Sequence, residues 1–172
     1  MWKNLSAILL CAAIVPPVLS AQQQTRVLTT QDYVDIQQLY ASLTEYLDTG
    51  TDAGARYANG YTSDGILEAE DGKVYKGRAA IIDFAKANGK GPMNVHHLTY
   101  DAIIDATPGG AVGRSRVTLV TMVAPGKPKG VGGGQYLDDL VKTADGWRIK
   151  KRTYIPGERA AARPGAPGAA PR

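Results

Sequence analysis

Between residues 30 and 48 the apolar positions Ile36, Leu39, Tyr40, Leu43 and Leu47 recur at helical spacing, which predicts an amphipathic helix. Thr29 or Thr30 can cap its start, with Asp32 in the first turn, and Gly50 suits its end. Asp52 can cap a second, short helix through Ala53–Tyr57, closed by Gly60. The period then changes. Gly65-Ile66-Leu67-Glu68 and Lys73-Val74-Tyr75 flank Glu70-Asp71-Gly72, and Asp-Gly between such runs signals a hairpin. A third helix is expected from Arg78 to about Ala87, with Ile81, Ile82 and Phe84 as its apolar side chains and Gly89 as its stop. Four strand-like runs follow: Val95–Ile104, Ala111–Val123, Gln135–Lys142 and Trp147–Ile155. Their turns are Pro108-Gly109-Gly110, a loop over Pro125–Gly134, and Asp145-Gly146. Helices followed by a meander argue an α+β fold, with the helices on one face of the sheet.

The two ends of the chain do not share this patterning. Lys3 precedes a short apolar run, Leu5 to Val15, which Pro16-Pro17 breaks. Val18-Leu19-Ser20-Ala21 offers small residues for cleavage. The run is shorter than the ~20 residues a bilayer span needs, so residues 1–20 read as a secretory signal. The mature protein is then exported, periplasmic or secreted, with no membrane contact after cleavage. Cys11, the only cysteine, lies inside that segment. The mature chain therefore has no thiol for a disulfide, a metal or a nucleophile. Residues 21–28 read as a linker, 29–156 as the folded domain, and 157–172, rich in Ala, Pro, Gly and Arg, as a disordered tail.

Charge adds an exclusion. The net charge is +4. Four of the 20 basic residues and one of the 16 acidic ones lie in the terminal segments, which leaves a net +1 over residues 21–157. Nucleic-acid binders cluster Lys and Arg on one face of the fold, so no nucleic-acid partner is expected. The run Pro125–Gly134 has glycines and lysines but no Gly-Lys-Ser/Thr and no following helix. It is read as a long hairpin loop with Lys127 and Lys129 at a solvated tip, not as a phosphate loop.

Candidate chemistry centres on His96 and His97, the only histidines. Neighbours on a strand point to opposite faces, so the two cannot share a metal ion. With no mature cysteine, no metal site and no cofactor is expected. By strand parity His96 runs with Leu98, Tyr100 and Ile104, and His97 with Val95, Thr99 and Ile103. Parity alone does not choose between them. Ser115 lacks a Gly-x-Ser-x-Gly elbow, so a nucleophilic triad is rejected. Arg114, Arg116 and Arg152 either orient an anionic group or are ordinary strand charges. Asp48 gains nothing from a helix C-terminus. Its flank of the helix, shared with Tyr33, Gln37, Tyr40 and Thr44, faces either a pocket or water.

Several short patterns stand in order along the chain. They are Tyr46-Leu47-Asp48-Thr49-Gly50-Thr51-Asp52, Asp64-Gly65, Tyr75-Lys76-Gly77-Arg78-Ala79-Ala80-Ile81 and His96-His97-Leu98-Thr99. Ala111-Val112-Gly113-Arg114-Ser115, Tyr136-Leu137-Asp138-Asp139, Asp145-Gly146-Trp147-Arg148-Ile149 and Arg152 complete the series. Together they resemble the SnoaL-like branch of the NTF2-like superfamily over residues 29–156. The resemblance implies a cone: a strongly curved, mostly antiparallel sheet wrapped around a long N-terminal helix, with two further helices and a pocket open at one end. It implies a homodimer through the sheet's outer face. Members include ketosteroid isomerase, scytalone dehydratase, polyketide cyclases and non-catalytic proteins, so the fold is better specified than the reaction.

In the dehydratase members a histidine on the strand after the third helix meets an aspartate from the end of the first helix. By register these are His97 and Asp48. A second pocket histidine falls near Ser115, and the isomerase aspartate near Ala69. A family tyrosine falls at Leu47 or Thr44, neither of which is a phenol. The resulting expectation is an exported protein that binds a small, largely apolar, oxygenated molecule. It would act as a cofactor-free dehydratase, hydratase or isomerase with His97 as base and Asp48 orienting it. Tyr40, Thr44, Tyr100, Ser115 and Arg152 are the candidate substrate contacts. The alternative is a non-catalytic ligand-binding or assembly module of the same fold.

Overall fold

The computed structural model describes residues 27–89, 95–124 and 126–157. The expected signal segment, most of the linker and the tail beyond Gly157 lie outside the described residues. Helix α1 spans Thr30–Thr49, a 3-10 turn Thr51–Gly54, α2 Ala55–Asn59 and α3 Gly77–Asn88. Strands β1 (Tyr61–Glu68), β2 (Val74–Lys76), β3 (Val95–Thr107), β4 (Gly110–Ala124), β5 (Lys127–Thr143) and β6 (Gly146–Pro156) form one sheet. Its order is β2-β1-β6-β5-β4-β3. Only the β1–β6 pair is parallel. The sheet is strongly curled into a half-barrel, and the helices pack into its concave side.

The apolar stripe of α1 behaves as its spacing requires. Ile36, Tyr40, Leu43 and Leu47 are buried with Ile81 of α3 and with Leu140, Trp147 and Ile149 of the sheet. Gly113 lets α1 come close, because a Cβ there would collide with the Tyr40 hydroxyl. The hairpin at Asp71-Gly72 forms as expected, with Leu67 opposite Tyr75.

Asp32 does more than occupy the first turn. Thr29 and Asp32 form a reciprocal capping box. The Asp32 carboxylate also accepts from Lys142 Nζ at 2.7 Å and Trp147 Nε1 at 2.9 Å. One buried carboxylate thus pins the start of α1 to β5 and β6. The Lys142 hydrogen bond and the Thr29 amide hold its carboxyl well below the usual carboxylate range. A lowered folded-state pKa means stability that is complete above the unfolded value of ~3.9 and lost as pH falls below it. Asp32→Asn should therefore lower Tm at neutral pH, and its deficit against wild type should shrink as the scan is repeated at about pH 3. A deficit that stays constant with pH would refute the assignment.

Three expectations need correction. Asp52 does not cap the second helix. It sits at φ 51° inside the 3-10 turn, the cap position falls to Gly54, and Asp52 instead accepts from Arg56 Nε at 2.9 Å. The stretch expected as a loop over Pro125–Gly134 is mostly strand, since β5 begins at Lys127 and Thr118, Val117 and Leu119 face Gly133, Gly134 and Gly132. The ladder uses backbone groups, so glycines can pair without any side-chain pattern to reveal it. Finally, parity does not run unbroken along β3. A bulge between Tyr100 and Ile103, with Asp101 at φ 54°, exchanges the faces. Ile104 is buried and Ile103 is 55% exposed, so Ile104 lies on the face of His97.

Candidate active site

Asp48 sits in the last turn of α1, where the carbonyl ends of the helix disfavour an anion. β3 supplies the compensation. The His97 backbone N–H donates to Asp48 Oδ2 at 2.8 Å, and His97 Nδ1 meets Oδ1 at 2.5 Å. Both side chains are mostly buried. A carboxylate on Nδ1 fixes the proton there, which leaves Nε2 with the free lone pair. The carboxylate meets β3 at its backbone edge, in the plane of the strand. It therefore also reaches toward the opposite face, where His96 Nδ1 lies 3.8 Å from Oδ2. Alternation separates the two rings as expected, with His96 exposed, but one acid borders both.

His97 lines a cavity of about 510 Å³, within the size range of small-molecule sites. Its walls are the inner face of the sheet, the β1–β2 hairpin and α3. Tyr57, Tyr75, Phe84, Tyr136 and Tyr154 contribute five aromatic rings, with Leu67 and Leu119 between them. Tyr136 and Tyr154 meet edge to face, centroids 5.7 Å apart. Burial raises the pKa of both phenols, so they remain neutral hydroxyls. For Tyr154 the nearby charge of Glu70 adds to the effect. Glu70, Asp71 and Lys73 border the cavity on the hairpin, and Asn88 does so on α3.

Of the seven residues expected in the site, Asp48 and His97 are in contact. The other five lie elsewhere. Tyr40 and Tyr100 border a separate depression of about 230 Å³. The Tyr40 hydroxyl is buried without a hydrogen-bond partner. Tyr100 is exposed on the outer face, its hydroxyl 3.1 Å from that of Thr118. Thr44 Oγ1 is 3.1 Å from the Tyr40 carbonyl and 3.2 Å from Thr99 Oγ1. Ser115 is buried with an unpartnered hydroxyl. Arg152 is committed to a buried pair: Nε and Nη2 each donate to Asp138 at 2.8 Å. It lies 4.2 Å from the Tyr136 ring centroid, behind the cavity wall. A bulge at Asp139–Leu140 shifts parity on β6, so Arg152 joins Ile149 on the buried face.

The aromatic wall went unseen in the sequence. Counting back from the Asp145-Gly146 turn pairs Tyr136 with Thr153. The same bulge pairs it with Tyr154 instead. Among the described residues no group of three or more His, Cys, Asp or Glu is placed to hold a metal.

Comparison with known proteins agrees with this architecture. A protein of unknown function from Mycobacterium tuberculosis is 29% identical, covering 73% of this chain and 72% of its own, with a TM-score of 0.65. An NTF2-like protein with a cystatin-like fold from Novosphingobium aromaticivorans is 22% identical, over 77% and 86% of the two chains, at TM-score 0.65. A Catenulispora acidiphila protein solved in complex with S-DNPA is 23% identical, over 78% and 100%, at TM-score 0.64. No curated protein matches the sequence. The family model for a SnoaL-like domain matches residues 29–153. With helix, curled sheet and cavity in the arrangement described, the chain belongs to the SnoaL-like family and carries its NTF2-like, small-molecule-binding fold.

Proposed function

We propose that this protein carries out cofactor-free acid/base chemistry on a small ring-bearing, oxygenated molecule, as a dehydratase, hydratase or isomerase. The observation that carries the reading is the 2.5 Å contact between His97 Nδ1 and Asp48, with His97 lining an aromatic cavity. Nε2 takes a proton from a carbon acid held against the rings. Asp48 stabilises the imidazolium that forms. The proton then returns at another position, which isomerises the substrate, or it leaves with a hydroxyl as water. The neutral phenols and Asn88 offer only hydrogen bonds, Lys73 and Asp71 pair with each other, Glu70 is exposed on the hairpin turn, and His97 is the mostly buried titratable group of the lining. The S-DNPA complex of the Catenulispora relative supports small-molecule binding by a protein of this fold.

The test is a thermal-shift screen of cyclic and aromatic ketones and β-hydroxy ketones, because a ligand that binds the folded state raises Tm. Hits are then incubated in D₂O. Deuterium entering the carbon next to the carbonyl, or loss of water, is the expected result. Ligands that bind without exchange or elimination would return the non-catalytic binding module.

A further inference from the structure

The cavity shows which charge its ligand can carry. Lys73 Nζ lies 2.7 Å from Asp71, so these two lining residues cancel. Glu70 also lines the cavity, and no cation among the described residues pairs with it. At the other wall His97 lines the cavity, with the Asp48 carboxylate behind it on Nδ1. Arg152 is the nearest buried cation behind the wall, but its charge is paired with Asp138 and the Tyr136 ring covers it. Among the described residues, then, Glu70 is the lining charge without a counter-ion, and no unpaired positive charge lines the cavity. The remaining walls are aromatic and aliphatic, with Asn88, and carry no charge.

We infer that this cavity selects ring ligands without a negative charge and discriminates against carboxylates and phosphates, with Glu70 as the specificity-determining residue. The inference deepens the reading above and uses the same cavity. It does not depend on turnover. An anion entering here would lose its hydration without gaining a counter-ion, which is costly in a half-enclosed site. A hydroxyl or carbonyl group meets no such cost.

Three isosteric probes test it: 2-naphthylmethanol, 2-naphthoate and 2-naphthylmethylammonium, titrated calorimetrically into the full chain at low ionic strength, where rim charges are least screened. Naphthoate should bind about 5- to 10-fold more weakly than the alcohol, the effect of one unscreened charge near the protein surface. The ammonium should bind at least as tightly as the alcohol. Glu70→Gln should narrow the naphthoate gap, and Glu70→Lys should close or reverse it. Glu70 is exposed on a turn, so both variants should fold, which their thermal transitions would verify. Naphthoate binding as tightly as the alcohol to wild type would overturn the inference. So would a ratio that Glu70→Lys leaves unchanged, or no binding by any probe. None of these results bears on proton transfer by His97, so the two readings can fail separately.

Discussion

Arg152→Met should destabilise the domain by about 3–5 kcal/mol, the cost of leaving one member of a buried ion pair uncompensated. Asp138 is fully buried and would lose its counter-ion and both of its 2.8 Å donors. The Tyr40 hydroxyl beside the pair can offer Asp138 a neutral donor but no counter-charge. For a domain of this size the change corresponds to a fall in Tm of about 10–20 °C. Asp138→Leu should do comparable damage by stranding the guanidinium. The double replacement Asp138→Leu/Arg152→Met should cost less than either single change, because a pair of apolar groups leaves no buried charge. A double-mutant cycle by chemical denaturation measures this. Single variants that melt within about 3 °C of wild type would mean that the pair is weakly held.

His97→Gln should lower turnover of an identified substrate by about 10²–10⁴-fold, the usual contribution of a positioned general base. Glutamine can still donate a hydrogen bond to Asp48, and the His97 backbone N–H is unaffected. The fold and the position of the carboxylate should therefore persist. What disappears is a nitrogen able to take up a proton. Asp48→Asn should also slow turnover, through the tautomer: an amide no longer holds the proton on Nδ1. The expected pattern is a loss in kcat with ligand binding retained by thermal shift. A His97→Gln enzyme that turns over within about threefold of wild type would remove the dyad from the mechanism, since a lost general base costs far more than that.

Much of the fold was legible in the sequence because it is written in side-chain periodicity. The stripe from Ile36 to Leu47 specified α1, and Asp71-Gly72 specified the first hairpin. The departures share a physical origin in the backbone. Bulges at Tyr100–Ile103 and Asp139–Leu140 insert a residue and exchange the faces of a strand. They carried Ile104 and Arg152 inward against their parity, and they brought Tyr154 opposite Tyr136. The glycines of β5 pair through main-chain groups that leave no apolar signal. Asp32 read as an ordinary first-turn acid, because Lys142 and Trp147 are more than 100 residues away. The contact of Asp48 with His97 likewise joins elements 49 residues apart. Helical spacing left the Asp48 flank undecided between pocket and water, and only the family register paired the two residues. The aromatic cavity draws its lining from two helices and all six strands, so no local pattern announces it.

The parallel pairing of β1 with β6 sets the order in which the chain can assemble. β6 is the last of the described strands, yet it stands in the middle of the sheet, between β1 and β5. The β3–β4–β5 meander can zip up from neighbouring hairpins. The β1–β2 hairpin cannot join it until residues 146–156 are in place, because Gly60 and Tyr61 make their sheet contacts there. Closing so long a loop delays the reward for the contacts it enables. β1 and β2 therefore have no strand of the meander to pair with until β6 is present. The cavity comes into existence only when the domain's last strand arrives.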